Sequence, residues 1–271
     1  LGLLNKPTLQ AGSPGVDIKF EDSWAEGTAA EDWKIYAVDN DIDKNHDIIV
    51  DVSCHVESDP IWTSKGLFDK GDNSIASYIF TGVEMTGSIK IDGEEHNVKG
   101  FGHHHHTWSN GLLKSFIKGW DFCHMKLDNG WNIYYSKYHL ITSERSLSDD
   151  SKINPYTNVI VTADNGQTIT ELKNIQIQTD SKTIFGNVKI PTDINIQAEP
   201  DLTQTLLKTY GIKLDVDVET DNIYEKVFNS VPKVGVNIGR ATIDGSLVWS
   251  EDNTDYDVDL KGTGSIWTMR H

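Results

Sequence analysis

Basic residues are scarce in this chain: 24 Lys and Arg stand against 41 Asp and Glu, leaving a net charge of −17. A surface so acidic repels nucleic-acid phosphate and anionic lipid headgroups, so neither is expected as a partner. No apolar run approaches the roughly 20 residues that span a bilayer, and stable membrane insertion is not expected. Prolines number 7 and cysteines two, Cys54 and Cys123. Two cysteines allow one disulfide or two buried thiols, and nothing in their spacing decides between them. The nucleophile elbow of hydrolases, the phosphate loop and the dinucleotide fingerprint are all missing. The acidic stretch Asp39 to Asn45 lacks the glycine and the spaced glutamate of a calcium loop. The first residue is Leu1, as in a trimmed chain. The expectation is a soluble protein, either cytoplasmic or secreted after removal of a signal peptide.

What the chain does have is apolar material and a period of two. Hydrophobic residues make up 37% of its 271 residues, enough for one large β domain or two ordinary ones. In Asp47–Val56, Val50, Val52, Cys54 and Val56 share one side, and Asp51, Ser53 and His55 the other, as in a half-buried strand. Ser88–Ile91, Asp92-Gly93 and Glu94–Lys99 spell a hairpin on a two-residue turn. Further hairpins are predicted over Trp120–Leu140 with a turn at Asp128-Asn129-Gly130, and over Asn158–Leu172 about Asp164-Asn165-Gly166. Another is predicted over Val234–Trp249, turning at Asp244-Gly245, with closing strands at Tyr256–Lys261 and Ser265–Met269. Helix signals are few. One runs from Pro200-Asp201 through Tyr210 and ends at Gly211; the other covers Asn222–Asn229.

Residues 143–157 are polar, aperiodic and punctuated by Pro155, so a domain boundary is placed there, giving domains 1–147 and 148–271. Hairpins in both halves suit an all-β protein of two antiparallel barrels or sandwiches.

Unusual chemistry concentrates between residues 88 and 135. Six of the ten histidines fall there, among them the run His103-His104-His105-His106, followed by Thr107 and Trp108. An internal run of four is unlike an expression tag. Three readings remain: a metal site, histidines hydrogen-bonded within a core, and a proton-handling pocket. On a strand His104, His106 and Trp108 share a side, and His103 and His105 share the other. No distant Cys/His pair completes a zinc motif, so no metal or other cofactor is expected. Trp120, Phe122 and His124 likewise share one side, Asp121 and Cys123 the other.

The segment from Gly87 to Trp108 (GSIKIDGEEHNVKGFGHHHHTW) resembles the signature of the carotenoid 1,2-hydratase (hydroxyneurosporene synthase)/AttH-like family. There a Gly-x-Gly hairpin runs into Asp-His-[Gln/Asn]-Trp-Gly. Gly100, Gly102, His106 and Trp108 match; His105 stands where the family has Asp, Thr107 where it has Gln or Asn, and Ser109 where it has Gly. Trp120 to Trp131 is similar to the family's next strand, Glu31-Asp-Trp-Lys-Ile-Tyr36 to its N-terminal E-W-W-Y element, and Gly262-Thr-Gly264 to its closing strand. The resemblance covers about a fifth of the chain. It implies two lipocalin-like antiparallel β-barrel domains around a greasy cavity, in a group that includes terpene cyclases and Diels–Alder-type pericyclases.

The resemblance implies an enzyme acting on C=C bonds of an apolar isoprenoid or polyene-like molecule by hydration, cyclisation or cycloaddition. The catalytic candidates are His104, His106 and two spare acids, Glu84 and Asp121, whose carboxyls burial would raise in pKa. Trp33, Trp108, Trp120, His124 and Tyr134 are the candidate ligand contacts. Because His105 replaces the acid, orientation and hydrogen bonding are expected to outweigh strong-acid catalysis. A lipocalin-like carrier of an apolar ligand and a metal enzyme using the His cluster are the rival readings; oligomeric state is left open.

Overall fold

Described here from a computed structural model are residues 9–11, 15–28, 30–39, 46–56, 58–65, 75–109, 117–140, 157–163, 168–173, 176–184, 188–198, 209–228, 234–251 and 254–270. Eighteen strands and no helix are found among them. The first eight are β1 (Leu9–Ala11), β2 (Val16–Phe20), β3 (Ser23–Gly27), β4 (Asp32–Asp39), β5 (Ile48–Val56), β6 (Ile61–Lys65), β7 (Ile75–Ile91) and β8 (Glu94–Ser109). They form one antiparallel sheet in the order β1-β2-β3-β4-β5-β7-β6, with β8 also paired to β7. The others are β9 (Ile117–Leu127), β10 (Asn132–Leu140), β11 (Thr157–Thr162), β12 (Thr168–Lys173), β13 (Gln176–Ile184), β14 (Val188–Ala198), β15 (Thr209–Phe228), β16 (Val234–Glu251), β17 (Thr254–Asp259) and β18 (Gly262–Arg270). Their sheet runs β12-β11-β10-β9-β18-β16-β15-β14-β13, with β17 on β16. The protein is thus all-β, built on two antiparallel sheets.

By backbone contacts the chain divides into two compact units, residues 1–62 with 78–106, and residues 63–77 with 107–271. The boundary expected at 147/148 lies within 141–156, outside the described residues.

Sequence alternation becomes burial alternation in β5, where Val52, Cys54 and Val56 are buried and Asp51, Ser53 and His55 exposed. The first unit's core is built on these residues with Phe80 and Val83; Trp33, Ile35, Tyr78 and Met85 pack against it. The β7–β8 turn is where the sequence places it: Asp92 and Gly93 both have positive φ, as a two-residue hairpin turn requires. Asp92 also accepts from the Asp47 amide at 2.9 Å and from His46 Nδ1 at 2.6 Å, tying the turn to the start of β5. In the second unit β11 is buried on both sides, and β9 nearly so. Its main core takes Cys123, Met125 and Leu127 from β9 with Ile133, Tyr135, Val159, Val161, Ile243 and Ile266. Each large aliphatic side chain buried there contributes about 1.5–3 kcal/mol.

Two expectations are corrected. Asn222–Phe228, expected as helix, is the end of strand β15, paired with Val234–Gly239 of β16 with a register shift between Asn222 and Tyr224. Strand pairing outweighs the helix signal. Asp244-Gly245, expected as a turn, lies inside β16, which pairs with β15 on both sides of it. The glycine is needed for close approach, because a Cβ at Gly245 would come within 2.2 Å of the Asp215 carbonyl oxygen. Across its other edge β16 changes partner there, from β18 to β17. Of the other expected helix, residues 201–208 lie outside the described residues, and Thr209 and Tyr210 already belong to β15.

Candidate functional site

Strand β8 carries the histidine run across the first unit's sheet. The His104 ring lies among aromatic rings, 5.2 Å from Trp33, 5.7 Å from Phe80 and 6.2 Å from Tyr78. His106 follows two residues on, 5.6 Å from the Tyr78 ring and 6.4 Å from His104. The period of two thus turns both imidazoles toward the same aromatic group. Trp33 comes from β4, opposite Cys54 of β5, which in turn stands opposite Met85 of β7. Gly102 of the sequence motif leaves room for Met85, whose Cε would sit 2.6 Å from an added Cβ. The indole Nε1 of Trp33 is buried and meets no hydrogen-bond acceptor among the described residues. A buried donor left so costs about 1–3 kcal/mol.

His103 and His105 are half-buried. Desolvation, reinforced by the neighbouring histidines, lowers their pKa values to about 4 and about 3. Both rings are therefore neutral at neutral pH. His105, which replaces the family's acid, is then no source of protons there. Trp108 lies on β8, but its side chain is outside the described residues.

Glu84 is exposed and pairs with Lys99 at 3.5 Å. It belongs to the row Asp32–His55–Glu84, one residue out of phase with Trp33–Cys54–Met85, and so lies on the opposite side of the sheet. His55 Nδ1 approaches Asp32 Oδ1 at 2.7 Å in that row. A cleft of about 390 Å³ is bordered by Glu26, Lys34, Ser53, Glu84 and Thr86 together with Asp32, His55, Trp33 and Cys54. Charged and polar residues make up most of its border, whereas the rings around His104 lie beside the apolar core of the first unit. The His104 group is the better candidate for an apolar ligand.

The remaining candidates belong to the second unit. Asp121 is 3% exposed and accepts four hydrogen bonds: Arg270 Nη2 at 2.8 Å to each oxygen, His139 Nε2 at 2.7 Å and Thr268 Oγ1 at 2.9 Å. Burial alone would push this carboxyl up, as expected from the sequence. The Arg270 guanidinium and the His139 ring outweigh it and hold the group well below the usual carboxylate range. The expectation of a raised, protonated acid is therefore corrected: Asp121 is ionised and saturated with donors. Trp120, His124 and Tyr134 lie on the other side of the same hairpin. Trp120 stacks on Phe122 at 5.7 Å, and Phe122 lies 6.3 Å from Tyr134, which stands opposite the buried His124. Burial pushes the Tyr134 hydroxyl well up, so it stays protonated.

Trp33, His104 and His106 are thus brought together, and so are Trp120, His124 and Tyr134; Glu84 and Asp121 join neither group. Sequence reading missed Tyr78 and Phe80, which complete the His104 group. Their stretch, Ser77-Tyr78-Ile79-Phe80, does not alternate, since Ile79 and Phe80 are both buried. It also missed Arg270, which meets Asp121 across 149 residues. Both cysteines are buried and free, and burial raises both thiols. Among the described residues no three His, Cys, Asp or Glu side chains converge as a metal ligand set.

Fold and site together define an all-β protein of two lipocalin-like sheets with an aromatic–imidazole group on the first. Solved structures with this fold include an AttH protein of Nitrosomonas europaea, at a TM-score of 0.59 and 11% identity over 95% of this chain and 71% of that one. Kievitone hydratase of Nectria haematococca follows, at 0.57 and 10% over 94% and 71%. CghA with Sch210972 superposes at 0.52 and 10% over 92% and 74%. These neighbours have the fold that the segment from Gly87 to Trp108 implied. No protein-family profile matches the chain, and no curated protein matches it in sequence.

Proposed function

We propose that the chain is a cofactor-independent enzyme acting on C=C bonds of an apolar isoprenoid or polyene-like substrate, by cyclisation, cycloaddition or hydration. The observation that carries this reading is the group formed by Trp33, Tyr78 and Phe80 around His104 and His106. A hydratase shares the fold, which adds support. Aromatic rings offer a polyene a shaped apolar surface and hold it in one folded conformation, where much of the barrier to ring closure lies. An imidazole beside them donates or accepts one hydrogen bond, which suits steering a polar substituent as charge shifts along the chain. In this scheme His104 and His106 orient the substrate, and Asp121 is a structural carboxylate of the other unit.

The test is turnover. Purified protein is incubated with a panel of isoprenoid and polyene substrates, and products are followed by chromatography with mass detection. His104→Ala is expected to lower the rate of any conversion about ten- to a thousandfold, and His106→Ala similarly, the range for losing one positioned donor. Glu84→Gln is expected to leave the rate nearly unchanged. Binding without conversion across the panel would make the protein a carrier instead.

A further inference from the structure

We propose that the molecule held by the His104 group carries an oxygen acceptor, and that Trp33 Nε1–H is the donor that fixes it. The inference rests on the reading of that group as the substrate site and adds the substrate's chemical class: an oxygenated isoprenoid or polyene, such as an enone or ketone, rather than a plain hydrocarbon.

Three observations lead there. Trp33 Nε1 is buried, yet no acceptor among the described residues meets it. Indole is a donor only, so another donor cannot satisfy it; an oxygen or nitrogen lone pair must. Trp33 packs against an apolar core made by Val52, Cys54, Val56, Phe80 and Val83. A structural tryptophan in such a place does better with its N–H turned to a backbone carbonyl or to water. Here the indole is instead tilted by 54° against the His104 ring, at 5.2 Å. A ligand oxygen bonded to Nε1 would lie within the same aromatic group as the imidazole. One end of a polyene would then be anchored through its oxygen while Phe80 and Tyr78 hold its hydrocarbon part. Such a site favours an oxygenated ligand over its hydrocarbon analogue, because only the oxygen meets the buried donor.

The experiment compares geranylacetone, an acyclic isoprenoid ketone, with β-farnesene, an acyclic isoprenoid hydrocarbon. Binding to the full chain is measured by calorimetry. Indole N–H resonances are followed by ¹H–¹⁵N spectroscopy, with the Trp33 signal assigned by its loss in Trp33→Phe. Geranylacetone is expected to move the Trp33 N–H resonance downfield, and β-farnesene to leave it in place. Trp33→Phe keeps the ring and loses the donor. It is expected to weaken geranylacetone binding about two- to tenfold, the worth of one net hydrogen bond, and to leave β-farnesene binding unchanged. If Trp33→Phe does not fold, the resonance shift in the unaltered protein decides alone. The proposal is overturned if geranylacetone binds without moving the Trp33 signal, or if the variant weakens both ligands equally. Either result leaves a hydrocarbon-binding enzyme standing. Binding of neither ligand overturns the proposal and the reading it rests on together. Ketone binding with the expected shift but no turnover supports the anchor and removes only the enzyme.

Discussion

Asp121 and the histidines of β8 are ionisable groups in opposite situations, and their variants should behave accordingly. Asp121 offsets its desolvation with Arg270 Nη2, His139 and Thr268. Asp121→Asn removes the charge and leaves Arg270 facing a neutral amide in a buried setting. Breaking such a pair costs about 3–5 kcal/mol, so the variant should lose much of the second unit's stability, read as a lower denaturant midpoint. Glu84→Gln, on an exposed pair with Lys99, should shift that midpoint very little. His103 and His105 have folded pKa values of about 4 and about 3 against an unfolded value of 6.5. Below pH 6.5 the unfolded chain binds protons that the folded chain refuses. Stability is therefore full above pH 6.5 and falls as the pH drops toward 4. Thermal unfolding from pH 7 to pH 4 should show this slope, and His105→Asn should flatten it. An unchanged slope in that variant would mean that His105 is not desolvated.

Among the elements, β16 shows how a local signal is reinterpreted by its neighbours. Asp-Gly between alternating apolar residues is a strong hairpin signal, and at Asp92-Gly93 it is one. At Asp244-Gly245 the same pair sits mid-strand against β15. What differs is the strand alongside, which only the fold supplies. The added methyl of Gly245→Ala would push into the Asp215 carbonyl and Val216. The expected cost is about 1–3 kcal/mol, measurable by urea titration, whereas an exposed turn glycine would cost less. Other elements were legible because their information is local. The β9–β10 hairpin, the turn at its tip and the alternation of β5 follow from neighbouring residues. Which side of β9 holds the main core was not legible, because β9 is nearly buried on both sides. The same limit applied to the site. The shared side of His104 and His106 could be read from parity, but the rings of Tyr78 and Phe80 meet them only once β7 and β8 are placed.

On the scale of the whole molecule, a net charge of −17 opposes compaction. Exposed ion pairs such as Lys261–Asp244 do little to offset it, and they too are screened by salt. Repulsion should win, so raising sodium chloride from about 20 mM to about 500 mM, well inside the range where screening shortens, should raise the melting temperature. Scanning calorimetry would show it, and a fall would mean that attractive pairs dominate. The pairing of β9 with β18 bears on synthesis. Strand β9 hydrogen-bonds to β18, so Cys123 stands beside Ile266 and Asp121 beside Thr268. On the ribosome, β9 emerges long before β18 exists. Through that interval one margin of β9 has unmet amides and carbonyls, and Asp121 lacks its cation. Contacts so distant in sequence form slowly, and open strand margins invite association with other chains. Nascent chains arrested before Gly262 should be captured by holdase chaperones and released once Arg270 has cleared the exit tunnel.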